Sequence, residues 1–436
     1  MEWYWAAALL FGLSVLLMFL GLPVAIAFFG TNIVGALVFM GGERGIWQVV
    51  NNGFGAITSF PLVPIPMFLL MGELFYHTGL ATRFFNAVDR LMGNVPGRLA
   101  YVTLLGGTAF AGPAGSSMGA CALLGSLMVP EMMKRGYNKY LSMGPIMGVG
   151  GLAVIIPPSA LTVLLATLGQ TDVGDLLIAG VVPGLLLALM YGALIWGWTV
   201  VDPSAAPGYV AEHAGRTERW RLILFDIVPM VAVIVFSVII MIVGWATPTE
   251  AAALGAMSVV LLAVPYGLLT WESLRRSVDG ALRVTVMSFL IIRLGHLRPA
   301  ARVLGRPSGL IQHFLGFDLG ALGMLLVMIG IIFFLGCFMD QLSMMLLTAP
   351  IFFPLAKTLG FDLAWFGLIM LLALEIGYTT PPFGLLLFVM KGVAPPGTTM
   401  REVYLAGAPF IACVLLLIAL IIAFPPLATW LPRVSH

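Results

Sequence analysis

Interruptions of apolar sequence hold the polar residues best placed to bind an ion or a small solute. Two of them are proline pairs inside apolar runs, Pro157-Pro158 and Pro381-Pro382. A proline pair leaves backbone carbonyl groups without helical hydrogen-bond donors. In hydrocarbon such carbonyls are costly unless something satisfies them, so the broken backbone must line a cavity or hold an ion. Unwound carbonyls combined with hydroxyl groups suit a small, hard cation such as Na⁺.

Two further interruptions lie within the apolar blocks 103–130 and 319–357. The first block is broken by Gly112-Pro113 and by Gly115-Ser116-Ser117, and the second holds Asp340, 224 positions after Ser116. An ionisable side chain inside a membrane segment is a functional candidate by default. Asp340 either has such a function, or lies at a wet hairpin tip or caps a half-helix.

Hydroxyl groups are available at these interruptions, and two roles are open for them. They can act as ligands of a cation, or they can bond to the backbone of their own helices. Half-helix N-termini that face the same place favour an anionic substrate. The hydroxyl groups belong to Ser116, Ser117, Ser159, Thr379 and Thr380.

Two glutamates in apolar surroundings have different explanations. Glu250 follows Thr247-Pro248, where an acid in the first helical turn complements the helix dipole, and that structural role is sufficient. Glu375 lies deeper in its apolar run. A role at a helix end therefore does not account for it as readily.

Composition decides the class of the chain. Of 436 residues, 61% are hydrophobic and only 9% are charged, whereas soluble domains carry roughly 25% charged residues. The solvent of this chain must therefore be a lipid bilayer. The net charge of +2 gives no indication of a nucleic-acid partner, and the three cysteines show neither metal-site nor disulfide spacing.

Apolar runs of the required length predict an all-α, polytopic membrane protein with about ten spans. The bilayer core is about 30 Å thick, so a helix that crosses it needs roughly 20 apolar residues. The blocks 103–130 and 319–357 do not fit as simple spans, and we expect them to be re-entrant hairpins. The predicted spans are 4–20, 22–40, 62–78, 140–168, 176–201, 222–243, 249–269, 284–300, 361–391 and 404–425.

Landmarks spaced by 224 or 225 positions predict an inverted repeat. Gly112 and Gly336 are so related, as are the two proline pairs. Each half has an odd number of crossings, so the second half must be upside down relative to the first, an architecture common in secondary transporters. We expect a first repeat at 1–201, a cytoplasmic linker at 202–221 and a second repeat at 222–436.

At these residues the chain resembles a known family, the large membrane subunit of tripartite ATP-independent periplasmic (TRAP) transporters. The similarity covers nearly the whole chain. It is carried by the Gly115-Ser116-Ser117 turn and by Ile65-Pro66-Met67-Phe68, Met128-Val129-Pro130-Glu131-Met132, Ile156-Pro157-Pro158-Ser159, Ala246-Thr247-Pro248-Thr249-Glu250-Ala251 and Thr380-Pro381-Pro382.

The resemblance implies an elevator-type transporter in the bacterial inner membrane that imports organic acids. It implies Na⁺ as the coupling ion, with no other cofactor. It also implies two partners, a periplasmic substrate-binding protein and a separate small membrane subunit of about four helices. By the family pattern, substrate-binding positions are Ser116, Ser117, Ser159, Asp340 and Thr380, and Na⁺ positions are Gly112, Gly115, Ser116, Asp340, Gly377, Thr379 and Thr380.

The stretch from Arg293 to Pro307 departs from the family pattern, which expects an apolar helix of small residues. It contains Arg293, Arg298, Arg302 and Arg306, and each arginine near a helix centre costs about 2.5–3.5 kcal/mol on insertion scales. Three interpretations are open: a site for the substrate anion, an early helix end followed by a wet loop, or a locally shifted reading frame.

The function expected is import of small carboxylates by a Na⁺-coupled transporter that depends on a binding protein. The alternative is a stand-alone ion-coupled anion carrier or antiporter with similar hairpins. An intramembrane enzyme would need a His-Glu-x-x-His motif or paired membrane aspartates, and the sequence has neither. Inverted broken helices also argue against a passive channel. The sequence does not identify the organic acid.

Overall fold

The computed structural model describes residues 3–22, 24–58, 60–110, 117–207, 215–295, 320–381 and 384–435. These residues form helices joined by short connections, without a strand among them. An α-helix satisfies its backbone hydrogen bonds internally, so an apolar chain can place it in lipid at low cost.

The first half of the chain contains long apolar helices and several shorter, amphipathic ones. A 3₁₀ turn at Phe60–Leu62 leads into the fourth helix. In order, the helices are α1 (Trp3–Phe19), α2 (Val24–Phe39), α3 (Glu43–Ile57), α4 (Pro64–His77), α5 (Leu80–Met92), α6 (Arg98–Phe110), α7 (Ser117–Lys134), α8 (Lys139–Ile155), α9 (Ala160–Gly169), α10 (Val173–Ala179) and α11 (Val181–Val201).

The second half begins with a helix that continues through a π-helical segment, Leu222–Ile227. Its helices are α12 (Arg216–Arg221), α13 (Val228–Ile242), α14 (Pro248–Ala263), α15 (Trp271–Gly295), α16 (Gly320–Gly336), α17 (Gln341–Thr358), α18 (Leu363–Thr379), α19 (Leu385–Val393), α20 (Met400–Ala423) and α21 (Pro426–Ser435).

Glu250 has the structural role expected for it. It forms a capping box with Thr247 at the start of α14, in which the Thr247 N–H donates to Glu250 Oε2 at 2.8 Å and the Glu250 N–H donates to Thr247 Oγ1 at 3.4 Å. These bonds satisfy two backbone donors that a helix start leaves free.

Four helical stretches of the described residues are long and apolar enough to cross a bilayer: Phe60–His77, Val173–Val201, Arg216–Ile242 and Met400–Ala423. The bent pair α8 and α9, which meet at 45°, would make a fifth. Other apolar helices, among them α14, α16 and α18, are shorter. The total of about ten spans therefore stays a prediction.

Some helices differ from the predicted spans. The run expected at 284–300 begins at Trp271 instead, because the polar first half of α15 packs on α4, where the Ser277 hydroxyl donates to the Glu73 carbonyl at 3.1 Å. The helices α3, α5 and α21 were not expected, since a ruler based on apolar length overlooks amphipathic helices.

The hairpin regions pack in the same way in the two halves of the chain. Helices α6 and α7 both pack on α8, and α16 and α17 both pack on α18. The second arm of each hairpin also contacts the broken helix of the other half: α7 lies against α19, and α17 lies against α9. Helices α8 and α18 contact each other at the centre.

These two central helices are enclosed by the rest of the molecule. Every residue of α8 from Leu141 to Ile155 is buried, and so is every residue of α18 from Ala364 to Thr379. Both helices end at an interruption predicted from the sequence. The first interruption is therefore placed in the interior of the helical assembly, where Pro157 and Pro158 are buried, whereas at the second interruption Thr380 is half-buried and Pro381 is exposed.

Candidate ion and substrate site

The first proline pair separates α8 from α9, and hydroxyl groups satisfy the backbone there. The Val154 carbonyl accepts from the hydroxyls of Ser159 at 2.9 Å and Thr162 at 2.7 Å. Ser159 is also the N-cap of α9, since its Oγ accepts from the Thr162 N–H at 3.4 Å. The break therefore stays buried without leaving the Val154 carbonyl unpaired.

At the second proline pair, hydroxyl groups bond to their own helix. Thr379 Oγ1 donates to the Glu375 carbonyl at 2.9 Å, and Thr380 Oγ1 donates to the Ile376 carbonyl at 2.5 Å. Beyond the break, the Gly384 N–H donates to the Thr380 carbonyl at 3.1 Å. Residues 382 and 383 lie outside the described part of the chain.

Asp340 caps the second arm of the second hairpin. Its Oδ2 accepts from the backbone N–H groups of Leu342 at 3.0 Å and Ser343 at 3.3 Å, and the Ser343 hydroxyl donates to Oδ1. A carboxylate in this position lies at the positive end of the helix dipole. Capping is thus a role that the geometry gives Asp340, whatever else it binds.

Close backbone packing at Gly336 and Gly377 joins this hairpin to α18. A Cβ atom at Gly336 would lie 2.4 Å from both Cα and C of Gly377, and one at Gly377 would lie 2.9 Å from the Ile332 carbonyl oxygen. Only glycine fits at this approach, because the obstructing atoms belong to the backbone. Gly377, which the family resemblance predicts as a Na⁺ position, is therefore also required for close helix packing.

Glu375 joins both hairpins at the centre of the molecule. Its Oε2 accepts from the Ser117 hydroxyl at 2.9 Å and from the Gln341 side-chain amide. The Ser117 hydroxyl also lies 3.3 Å from the Gly150 carbonyl oxygen, its second potential acceptor. These contacts bring α7, α8, α17 and α18 to one carboxylate. Glu375 is 2% exposed, which means that this polar cluster is enclosed.

A cavity of about 180 Å³ borders this cluster. The beginnings of three half-helices line it, with Met118 in α7, Ala160 in α9 and Gln341 in α17. Asp340 and Tyr378 add polar groups, and Ile65, Leu69, Val284, Met287 and Ser288 of α4 and α15 close the opposite wall. The positive dipole ends of these helices favour an anion. At α9 and α17, however, Ser159 and Asp340 already accept from N–H groups of the first turn, and Asp340 adds a carboxylate to the lining.

A second cavity, of about 460 Å³, lies beside the first, and Leu164 lines both. Its wall includes Pro64 at the start of α4, the polar residues Gln170, Thr171 and Asp172 between α9 and α10, and Thr247 and Thr249 at the start of α14. A volume in this range is typical of small-molecule sites.

Oxygen atoms dominate the potential ligands near the first cavity. Within the described ranges, no three or more His, Cys, Asp or Glu side chains are grouped to hold a metal ion. Hydroxyl, carbonyl and single carboxylate groups are the ligands on hand, and these match the coordination of Na⁺ at broken helices.

The structure brings together some of the residues predicted from the sequence. Ser117 and Asp340 lie at the hairpin ends that meet near Glu375, and Asp340 lines the smaller cavity. Ser159, Gly377, Thr379 and Thr380 lie at the two helix breaks. Gly112, Gly115 and Ser116 fall outside the described residues, as does most of the unusual stretch after Gly295.

Gln341 and Tyr378 were missed by sequence reasoning. Each lies directly beside a residue that was singled out, Gln341 next to Asp340 and Tyr378 next to Thr379. The available signal was therefore adjacency to a break. A glutamine in an apolar run needs a partner when it is buried, and this argument alone would have added Gln341.

The fold and the site together define a membrane transport protein: apolar helices, broken at their centres, enclose a cavity with polar groups. Solved transporters share the fold. The chain matches the Alcanivorax borkumensis YdaH transporter with a TM-score of 0.59 at 14% identity, covering 91% of this chain and 90% of that one. It matches Neisseria gonorrhoeae MtrF, from a class of antimetabolite efflux pumps, with a TM-score of 0.57 at 14% identity, covering 87% and 84%.

Sequence comparison gives the family. Residues 11–427 match the family described as "Tripartite ATP-independent periplasmic transporter, DctM component", and the chain belongs to this family. The resemblance inferred from the sequence motifs is thereby confirmed. The family is one of transporter permeases, which take up organic acids as part of a TRAP system.

Relatives with different named substrates are about equally similar to this chain. The isethionate TRAP transporter permease protein DctMQ of Oleidesulfovibrio alaskensis is 31% identical over 98% of this chain, which spans only 65% of that longer protein. The C4-dicarboxylate permease DctM of Rhodobacter capsulatus is 29% identical, covering 98% of this chain and 99% of its own. The sialic acid permease SiaM of Vibrio cholerae is 28% identical, covering 96% of both.

Proposed function

We propose that this chain is the ion-translocating and substrate-translocating subunit of a Na⁺-coupled importer of small organic acids, chiefly carboxylates. The observation that carries the proposal is the cavity of about 180 Å³ between three half-helix N-termini and the α4–α15 wall. Helix N-termini provide for an anion, and the broken backbone with its hydroxyl groups provides for Na⁺.

An inverted repeat with an elevator motion is part of the proposal. Two observations support it: the hairpins pack alike on α8 and α18, and the cavity lies between these elements and the wall formed by α4 and α15. Sliding of the hairpin-bearing group along that wall would carry the cavity from one membrane face to the other. The larger cavity, which shares Leu164, would then be the access route on the periplasmic side.

We also propose that the chain works in the bacterial inner membrane with two partners, a periplasmic substrate-binding protein and a separate small membrane subunit of about four helices. Large apolar side chains exposed on α2 and α3, such as Phe29, Leu37 and Trp47, leave these helices free to contact lipid or such a subunit. The names of relatives, which mention isethionate, C4-dicarboxylates and sialic acid, support an acidic solute.

Uptake into proteoliposomes tests the proposal. The chain is reconstituted with the small subunit and binding protein of its own system and supplied with a panel of labelled organic acids. We expect accumulation of at least one acid with an inward Na⁺ gradient and none when K⁺ replaces Na⁺. Equal uptake in K⁺ would refute Na⁺ coupling.

A stand-alone ion-coupled anion carrier is the second candidate, since the two solved structures with this fold are described as a transporter and an efflux pump. The same vesicles without the binding protein and the small subunit decide between the two. Full uptake by the isolated chain would favour the stand-alone carrier, and loss of uptake would favour the tripartite importer.

A further inference from the structure

A single carboxylate oxygen connects the two hairpins in this structure. Oε2 of Glu375 accepts from Ser117, 258 positions away in the sequence, and from Gln341, 34 positions away. Ser117 is the first residue of α7 and Gln341 is the first residue of α17. Each donor is thus the first residue of the second arm of its hairpin, next in sequence to predicted ion and substrate residues.

The connection leaves little room for movement. The exposed fractions are 2% for Glu375, 1% for Ser117 and 6% for Gln341. A Cβ atom at Gly150 would lie 2.5 Å from Glu375 Oε1, so α8 presses directly on the carboxylate from the side of the first break. Buried polar networks of this kind specify one arrangement when their bonds are made.

The two oxygens of Glu375 are used unequally. Oε2 takes both hydrogen bonds, whereas Oε1 is buried and has no hydrogen-bond partner among the described residues. A glutamine with its amide oxygen at the place of Oε2 can therefore accept the same two bonds. The negative charge can thus be removed separately from the hydrogen-bonded connection.

We propose that Glu375 is a positioning residue that couples the two hairpins, so that the groups at the starts of α7 and α17 form one ion and substrate site and not two independent halves. The functional consequence rests on the Na⁺-coupled transport proposed above, whereas the physical connection does not. Because a ligand shared by both hairpins requires them to be aligned, loosening the connection weakens Na⁺ binding before it affects the maximal rate.

Two substitutions separate this role from others. Glu375→Ala removes both hydrogen bonds, and Glu375→Gln keeps them with a neutral acceptor, which is roughly half as strong. We expect the Na⁺ concentration for half-maximal uptake to rise by about tenfold or more in Glu375→Ala, in line with the loss of bonds to a charged group. In Glu375→Gln it stays within about threefold of the original protein, with the maximal rate unchanged.

Hydrogen exchange provides a readout that does not depend on transport. In the purified full chain, Glu375→Ala should speed amide exchange in the first two turns of both α7 and α17, and Glu375→Gln should not. Faster exchange confined to α18 around position 375 would overturn the proposal, and so would unchanged exchange in both hairpins.

The transport result can overturn the proposal separately. If Glu375→Gln is as impaired as Glu375→Ala in Na⁺ dependence while its exchange is normal, the charge of Glu375 acts directly and the residue is not a positioning residue. If the original protein shows no Na⁺ dependence, the proposed function fails, and the exchange experiment still decides whether Glu375 couples the hairpins.

Discussion

Gly150 is the position at which one added methyl group disturbs Glu375 most directly. In Gly150→Ala the new Cβ atom would lie 2.5 Å from Glu375 Oε1 and 3.3 Å from Ser117 Cβ. A comfortable carbon–oxygen contact needs roughly 3.3 Å or more, so the carboxylate must retreat by about 0.8 Å. A retreat of that size along the bond from Ser117, which is 2.9 Å long, would lengthen it to about 3.7 Å, beyond hydrogen-bond reach.

The loss can be expressed as a change in ion affinity. A hydrogen bond to a charged acceptor contributes about 1.5–3 kcal/mol, which corresponds to roughly tenfold or more in an equilibrium constant. We therefore expect Gly150→Ala to raise the Na⁺ concentration for half-maximal uptake by about tenfold. Gly150→Ala should also speed exchange at the start of α7, where Ser117 lies.

Gly151→Ala is the matched control, one residue further along α8. Its Cβ atom would meet the Tyr191 hydroxyl oxygen at 3.3 Å and Glu375 Cγ at 3.7 Å, and the carboxylate oxygens are not among its near neighbours. Proteoliposome uptake at graded Na⁺ concentrations compares the two variants. If Gly150→Ala and Gly151→Ala behave alike, the reasoning from the position of the carboxylate is refuted.

Three further substitutions test other parts of the structure. Gly336→Ala should lower the stability of the protein by about 1–3 kcal/mol, the cost of overpacking, because its Cβ atom would lie 2.4 Å from the Gly377 backbone. Gly330→Ala in the same helix, whose Cβ atom would have no atom within 4 Å, should leave the stability unchanged. Equal unfolding temperatures of the two variants in detergent would contradict this expectation. Asp340→Asn keeps a good N-cap, so the stability of the protein should change by less than about 0.5 kcal/mol. If the carboxylate contacts the ion, the Na⁺ concentration for half-maximal uptake should rise. Uptake identical to that of the original protein would limit Asp340 to capping. Arg83→Ala should destabilise the protein more than Arg90→Ala. Arg83 pairs at 2.5 Å with the largely buried Asp226, whereas Arg90 pairs at 3.2 Å with the exposed Glu218. Equal melting curves for the two variants would contradict this ranking.

The helix breaks could be predicted from the sequence because their cause is local. Proline lacks an N–H group wherever it occurs, so Pro157-Pro158 marked the end of α8 without knowledge of the fold. The same holds for the cap of α14, where Thr247 and Glu250 are three residues apart. Helix breaks and caps of this kind depend only on neighbouring residues, so they can be predicted from the sequence.

The contacts within the site could not be predicted in the same way. Ser117 and Glu375 are 258 positions apart, and no local rule pairs a serine at a hairpin turn with a glutamate in another helix. Each residue could be singled out from its position in the sequence, but no sequence signal indicated that the two are in contact. Gln341 was overlooked because its neighbour Asp340 carried the more obvious charge.

The predicted helix boundaries were wrong where burial depends on packing between helices. The start of α15 at Trp271 is stabilised by α4, through contacts such as that of Ser277 with Glu73. Predicting helices from the length of apolar runs takes no account of such a polar contact. The amphipathic helices α3 and α5 were overlooked for the same reason.

In the proposed transport mechanism, the two hairpins enter the membrane from opposite faces and meet at its middle. Lys134 and Lys357 lie in the last turns of α7 and α17, are exposed, and mark the bases of the two hairpins. Lys134, Arg135 and Lys139 follow the first hairpin, and positive residues near span ends mark the cytoplasmic side, so the base of an inverted second hairpin lies on the periplasmic side. In a background without Cys121, Cys337 and Cys413, we therefore expect Lys134→Cys to react with an impermeant maleimide only from the cytoplasmic side and Lys357→Cys only from the periplasmic side. Reaction of both from the same side would contradict the account.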